Sequence, residues 1–305
     1  MIGEVQHALR ELRRANPLLD RPRPPARERF HPLQKVLVAN RGEIAKRFFF
    51  VLKEEGIPSV AVVTDPDRKQ SWYEFADEVV YIGDARNYTN IPVLLAAVLL
   101  SKANGVYPGY GFLSESYQFV EALAELSRAG EREILFLGPP AEVMRRVGNK
   151  LDARALAQAN GVPFLKGTEL IRDLSHAKDE AARIGYPVMV KLNAGGGGKG
   201  MTVVSHEGEL APALESARRI GQSIYGDASL YLEQCIQRPV HIEVQVFNGT
   251  AVGIRKCAVQ RRNQKIIEET GDFFLENRSI LKLLAAAENM AAISGYADGG
   301  GAGTV

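Results

Sequence analysis

Short apolar runs recurring at a regular interval constrain this chain more than any other feature. Lys35–Asn40 reads KVLVAN and Ser59–Thr64 reads SVAVVT. Both are runs of the kind found in strands buried on both faces. Between them, Arg41-Gly42 turns into a helix starting near Glu43. Strand, helix and strand at this spacing form a crossover unit, which predicts a parallel, doubly wound sheet. The rhythm continues with a strand at Glu78–Ile82, a helix at Ile91–Ala103 and a strand and turn at Gly105–Tyr110. Gly111–Ser116 leads into a further helix, Ile134–Leu137 forms a strand, and Pro140 opens the next helix. An α/β domain is expected over residues 35–147.

Composition excludes several classes. The 305 residues suffice for two or three units with real cores. A net charge of +2 does not suggest a nucleic-acid binder. The longest apolar stretch, Ile91–Leu100, is too short to span a membrane. The two cysteines, Cys235 and Cys257, stand at no metal-ligand spacing and form no disulfide framework, so a reducing, cytoplasmic setting is expected. Residues 1–34 read as an arm that packs on the body or stays mobile. Val5–Ala15 suits an amphipathic helix and Pro17–Pro32 is rich in Arg and Pro. The arm has no apolar core of a secretory signal, and its acidic residues argue against a transit peptide.

A different unit follows. Pro140–Asn160 is expected to be helical throughout and carries Gly148-Asn149-Lys150. Strands are expected at 187–192, 201–204 and Ser229–Glu233, with a helix at about Glu207–Ile220. His241–Phe247 alternates and pairs with Ala251–Lys256 across Asn248-Gly249, a strong hairpin signal. Residues 277–294 form a helix, and the last eleven residues are glycine-rich.

Four constellations bear chemistry. Residues 186–201 read YPVMVKLNAGGGGKGM, a strand carrying Lys191 and then Gly195, Gly196, Gly197 and Gly198, with Gly200 and Met201 after Lys199. Glycines let backbone N–H groups converge on one point, and lysines beside them neutralise phosphate. A plain surface loop is the bland alternative, against which the lysine-bearing strand weighs. Lys150 joins Lys191 as a second phosphate candidate, or is a solvated helix lysine. His241, Glu243 and Gln245 share one face of their strand, as a site or as an ordinary polar face. Val259–Thr270 (VQRRNQKIIEET) offers an anion site with Gln260, Gln264 and Lys265, or else a charged loop or helix start. Glu233-Gln234-Cys235-Ile236 ends a strand as an adenine hinge would, or as any edge strand would.

Taken in order, VLVANRGEIAKR, YPGYGFLSES, GNK, the lysine strand with GGGGKGM, HIEVQV and CAVQRRNQKIIEE resemble the motifs of biotin carboxylases, of the ATP-grasp superfamily. The resemblance runs from about Lys35 to Val305. It implies an incomplete α+β ATP-grasp domain over 148–305, with a lid at about 164–236. It also implies an ATP-dependent ligase that phosphorylates bicarbonate to carboxyphosphate and passes the carboxyl group to biotin.

By that resemblance Lys150 and Lys191 hold ATP phosphates and Gly195–Gly200 with Met201 closes over them. Glu233, Gln234 and Ile236 take the adenine and ribose end, and His241 and Gln260 lie in the nucleotide cleft. Gln264 and Lys265 bind bicarbonate. Mg2+ or Mn2+ serves as cofactor, with no metal ligand among the residues present. The partners implied are a biotin carboxyl carrier protein or domain, a carboxyltransferase subunit and a second copy of a full-length chain.

The sequence departs from the family where Asn263 replaces a usual histidine and Ile254-Arg255-Lys256-Cys257 replaces Glu-Arg-Asp-Cys. It ends at Gly303-Thr304-Val305, where the family's metal-binding and catalytic strands begin, so the 305 residues alone are expected not to carboxylate biotin at a useful rate. The alternatives are a ligase of carbamoyl-phosphate synthase type and a non-catalytic nucleotide-binding fragment.

Overall fold

A computed structural model describes residues 1–15, 32–130, 132–193, 200–261, 264–270, 276–296 and 302–304. The chain divides into two compact units, Met1–Met144 and Arg145–Val305.

The first unit is the parallel sheet that the apolar runs demand. Its strands are β1 (Val36–Val38), β2 (Ser59–Thr64), β3 (Glu78–Gly83), β4 (Gly105–Tyr107) and β5 (Leu135–Phe136). They run in the order β3-β2-β1-β4-β5, all parallel. Helices α2 (Gly42–Glu55), α3 (Ile91–Ser101) and α4 (Tyr117–Ala129) cross over between strands. Successive strand residues serve opposite faces. Val36, Val38, Ala61 and Val63 pack with Ala45, Phe49 and Leu52 of α2. Leu37, Val60, Val62 and Val106 pack with α3 and with Phe119 and Leu123 of α4. Ser116 caps α4 by accepting from the Phe119 N–H, which explains why the helix starts there.

The arm resolves in favour of packing. Helix α1 (Ile2–Ala15) buries Val5, Ala8 and Leu12 against α3. This accounts for α3 itself, IPVLLAAVLLS, which is apolar on every side and could not face water. Residues 16–31 lie outside the described residues.

Strand order reverses at β1, so a crevice is expected above the carboxyl ends of β1, β2 and β4. That end is tightly tied. The Asn40 side chain donates to the carbonyls of Pro108 (2.7 Å) and Tyr110 (2.8 Å). A Cβ on Gly109 would meet the Asn40 amide at 2.7 Å, and its φ of +62° also favours glycine. Asp67 is fully buried and accepts from Arg41 Nε at 2.7 Å and the Tyr88 hydroxyl at 2.9 Å, with Thr64 as a third donor. Burial alone would raise the Asp67 carboxyl. The hydrogen bonds from Thr64, Arg41 and Tyr88 outweigh it and hold the group below its ordinary range.

Helix α5 (Ala141–Gly148) spans the boundary between the units, and α6 (Lys150–Ala159) follows in the second. The single helix expected over 140–160 is thus broken. Asn149 leaves helical geometry and its side chain accepts from the N–H groups of Leu151 and Asp152, so the asparagine caps a new helix. Next come α7 (Leu174–Ile184), β6 (Val188–Leu192), β7 (Thr202–Val204), α8 (Leu210–Tyr225) and β8 (Leu230–Gln234). The strands form an antiparallel sheet, β7-β6-β8, whose inner face packs on α7 and α8 through Val188, Val190, Leu192, Leu230 and Leu232.

A second antiparallel sheet, β11-β10-β9-β12, combines β9 (Ile242–Phe247), β10 (Thr250–Arg261), β11 (Gln264–Glu269) and β12 (Ala302–Thr304). The Asn248-Gly249 hairpin is present with φ of +47° and +80°, the handedness such two-residue turns require. Helix α9 (Asn277–Ser294) packs on β9 and β10. Gln264–Glu269 is a strand, not the charged loop or helix start that its composition left open. The apolar pattern gave no position for helix α7; its signal was Asp173, which caps it by accepting from the His176 N–H. Among the described residues no helix is long and apolar enough to cross a membrane.

Replacing Asp67 with Ala leaves Arg41, Thr64 and Tyr88 without their shared acceptor. Urea denaturation should show a loss of roughly 3–5 kcal/mol, the cost of breaking a buried ion pair from one side. A loss below about 1 kcal/mol would mean the network does not hold this unit together.

Candidate functional site

Two polar groups of side chains stand on the two sheets of the second unit. On the first sheet, Met189 pairs with Glu233 and Lys191 with Tyr231. These four side chains share the face turned away from α7 and α8, because their neighbours Val188, Val190, Leu192 and Leu232 fill the core. Lys191 and Glu233 are diagonal neighbours across the ladder and form a partly buried ion pair. Burial raises the Tyr231 hydroxyl, reinforced by the charge of Glu233.

Lys150, in the first turn of α6, reaches the carbonyl of Leu192 at 3.4 Å. The Lys150 ammonium therefore sits at the end of β6, while the Lys191 ammonium turns back along the sheet to Glu233, which lies opposite Met189. Gly195, Gly196, Gly197 and Gly198 lie outside the described residues. Beyond them, Gly200 has a φ of +73°, and a Cβ there would collide with the Leu192 side chain. Met201 is half-buried just before β7. Gln234 closes β8, and Ile236 is exposed beyond it.

The second group centres on Glu243, whose side chain is only 12% exposed. Arg255 Nη2 lies 3.1 Å and Lys265 Nζ 2.7 Å from its Oε2. Arg255 also donates to Gln245 Oε1 at 2.7 Å and pairs with Glu268 at 3.1 Å, and Lys265 pairs with Glu268 at 2.7 Å. His241 Nε2 lies 3.5 Å from Glu243 Oε1, and its Nδ1 is 2.9 Å from the Gln260 amide nitrogen. Burial works to raise the Glu243 carboxyl, but Lys265, the Cys257 thiol and Arg255 hold it below the ordinary range. Burial works to lower the Lys265 ammonium, but Glu243 and Glu268 raise it. Burial and Glu243 together push the Cys257 thiol up.

Of the residues singled out in the sequence, the structure joins Lys191 with Glu233 and His241 with Gln260, and places Lys265 on Glu243. Gln264 begins β11, and its side chain is outside what is described. Arg255 and Cys257 were not anticipated as members, whereas Glu268 belongs to the Val259–Thr270 segment singled out in the sequence. Counting back from the hairpin puts Ile254 opposite Glu243. The observed register slips between Ala251 and Gly253, so Val252 bulges and Arg255 faces Glu243 instead. Glu243 and Glu268 each already hold two cations, so they do not fit a resident Mg2+ or Mn2+, which needs several oxygen ligands of its own.

A parallel α/β unit followed in the chain by two antiparallel sheets, one of them bearing Lys191 near the end of β6, is an arrangement of ATP-grasp architecture. Residues 32–144 match the family described as biotin carboxylase, N-terminal domain. Residues 149–305 match the carbamoyl-phosphate synthase L chain, ATP binding domain. The chain is 39% identical over 280 residues to a biotin carboxylase of Nostoc sp., covering 89% of this chain and 61% of that protein. A urea amidolyase of Saccharomyces cerevisiae is 40% identical over 269 residues, covering 86% of this chain and 14% of its own.

Among solved structures, a Campylobacter jejuni biotin carboxylase described as a β-γ-ATP complex superposes with a TM-score of 0.83 at 38% identity, over 89% of this chain and 61% of that one. The biotin carboxylase domain of a Hydrogenobacter thermophilus 2-oxoglutarate carboxylase, described in complex with MgADP, ADP and bicarbonate, gives 0.82 at 34% identity, over 89% and 60%. The chain belongs to the biotin carboxylase family. It spans about 61% of the length of its Nostoc relative.

Removing Arg255 as Arg255→Ala takes a cation from Glu243 and should raise that carboxyl. Because the folded Glu243 titrates below its ordinary value of 4.5, its stabilisation is complete above that pH and fades as pH falls through the folded value. In the variant the folded value lies closer to 4.5, so the acid-side loss that Glu243 contributes should be smaller and be complete at a higher pH. Thermal melts across the acid range check this, and superimposable wild-type and variant profiles would contradict it.

Proposed function

We propose that this chain forms the nucleotide-binding part of a biotin carboxylase. In that reading ATP phosphorylates bicarbonate to carboxyphosphate, ADP leaves, and the carboxyl group passes to a ureido nitrogen of biotin with release of phosphate. The observation that carries it is the Lys150 ammonium on the carbonyl that ends β6, the strand that also bears Lys191 and precedes a run of glycines in the sequence. Phosphoryl transfer asks little of a protein beyond positioning and positive charge, and these residues supply both.

Lys150 and Lys191 are assigned to the phosphates and Gly195–Gly200 with Met201 to the loop above them. Glu233, Gln234 and Ile236 are assigned to the adenine and ribose end, His241 and Gln260 to the nucleotide cleft. Glu233 on Lys191 keeps the lysine aligned along the sheet until phosphate oxygens compete for it. Gln264 and Lys265 are assigned to bicarbonate: an ammonium held among Glu243 and Glu268 sits at a fixed point from which it can bind an anion. A divalent ion arriving with the nucleotide would neutralise phosphate charge. The acceptor is biotin on a carrier protein or domain, acting with a carboxyltransferase subunit in a cytoplasmic holoenzyme that is dimeric at full length. A bicarbonate-dependent ATP hydrolysis indifferent to biotin would favour the carbamoyl-phosphate synthase type instead.

Lys191→Ala should weaken ATP binding by roughly 10–100-fold, the range for a lost hydrogen bond to a charged group. Isothermal titration of wild type and variant measures it. Equal affinities would remove Lys191 from the nucleotide site.

A further inference from the structure

Strand β7 stands at the end of its sheet, and among the described residues no strand pairs with its outer edge. The ladder fixes which of its groups face that edge. The Asn193 N–H donates to the Ser229 carbonyl at 2.9 Å, and the Cys235 N–H to the Pro187 carbonyl at 3.2 Å. With the register, these bonds turn the odd-numbered residues of β6 towards β8 and the even-numbered ones towards β7. Val188 and Val190 lie opposite Val204 and Thr202, so those two residues of β7 bond back to β6. Val203 between them therefore presents its N–H and C=O outwards, and the residue is 49% exposed.

Helix α8 supplies a wall beside this edge. Leu210, Leu214 and Ala217 go into the core, while Glu209, Pro212 and Ser216 recur at the spacing of one helix face. With Val203, Ser205 and Ala213 they line a cavity of about 410 Å3. A free strand edge beside a helix can take an extended peptide as a further strand. The edge then holds the peptide backbone and the groove holds its alternate side chains. We infer that β7 and α8 form a docking groove for an extended basic peptide, which pairs with Val203 and sets a Lys or Arg side chain in the cavity.

Charge and shape select that occupant. Glu209 brings a carboxylate to the lining, and its Oε2 accepts from the Ser205 N–H at 2.7 Å. Its Oε1 lies 3.4 Å from His206 Nε2, and the side chain is still 47% exposed. The carboxylate is thus held in place with room for a cation. Pro212 and Ala213 give apolar surface to the methylene stem of a Lys or Arg, and the Ser216 hydroxyl can accept from its head. In a paired strand, the residue opposite Val203 turns its side chain away from α8, and its two neighbours turn theirs towards it, as Thr202 and Val204 do. A second copy adding its own β7 would present Thr202 and Val204 there, which carry no charge and of which Val204 is already buried. The inference does not rest on the carboxylase reading, since none of these residues is assigned to nucleotide or bicarbonate.

The test titrates the 305-residue chain with an end-blocked pentapeptide that alternates valine and lysine, with valine at its centre and ends. Binding, followed by NMR, should saturate, and amide exchange at Val203 should slow severalfold. Exchange at Thr202 and Val204, already bonded to β6, should change little. Methylating the central valine nitrogen removes the donor for the Val203 carbonyl and should weaken binding about tenfold. A peptide with glutamate in place of lysine should not bind. Glu209→Gln keeps an acceptor for Ser205 and should weaken binding about two- to fivefold while flattening its salt dependence. Val203→Pro removes the outward N–H, spares the bonds to β6, and should abolish binding. The altered peptides act on the unaltered chain, so the result does not depend on whether a variant folds. Three outcomes would each overturn the groove: no saturable binding, equal affinity for the methylated or the glutamate peptide, or Val203 protection without peptide that grows with chain concentration, the mark of a second copy.

Discussion

A nearly buried carboxylate must be compensated where it stands, and Glu243 shows what that requirement does to a sheet. Taking such a group out of water costs several kcal/mol before any partner is counted. Two cations, Arg255 and Lys265, come to it from two different strands, and Glu268 balances both. The four residues tie β9, β10 and β11 together from one face, while Val244 and Val246 of β9 are buried on the other. The bulge at Val252 serves this arrangement, since only the shifted register sets an arginine, rather than Ile254, opposite the glutamate. Because each member has two or more partners, no side chain can leave without unbalancing the others.

The first unit solves the same problem with a different result. Asp67 is also buried, but its donors come from three places close to the strand ends: Thr64 at the end of β2, Arg41 after β1, and Tyr88. Tyr88 in turn stacks on Phe112 with ring centroids 4.6 Å apart. Phe112 has a φ of +47°, uncommon for an aromatic residue, and lies just past the segment that Asn40 grips. A single carboxylate thus fixes the residue after β1 and, through one aromatic ring, steadies the loop after β4. The strand ends at the switch point are held by polar chemistry, and the faces of the sheet by apolar contact.

Much of this was legible in the sequence. The strands at 59–64 and 78–83 and the helix at 277–294 follow from apolar period alone, and the hairpin at Asn248-Gly249 follows from the φ values that only such a pair accepts readily. Lys191 was visible because a charged residue interrupts a strand otherwise apolar, immediately before glycines. The break at Asn149 was hidden because asparagine both tolerates and caps helices, and the flanking residues suit a helix on either side. Arg255 was hidden for a harder reason. A bulge leaves no mark in the alternation it disturbs, so register counted from the turn is wrong by one on the far side. The glycine run at 195–198 lies outside the described residues.

Helix α1 and its partner lie far apart in the chain. Val5, Ala8 and Leu12 are covered by α3, whose first residue comes about eighty positions later. During synthesis at roughly 5–20 residues per second, the amino-terminal helix leaves the ribosome several seconds before its seat exists. Until then its apolar stripe has nothing of its own chain to rest on, and neither β1 nor β2 can substitute, because their faces are claimed by α2 and by α3 itself. Helix α1 is therefore made before the helix that covers it, and in that interval the nascent chain carries a short amphipathic helix with its apolar stripe uncovered.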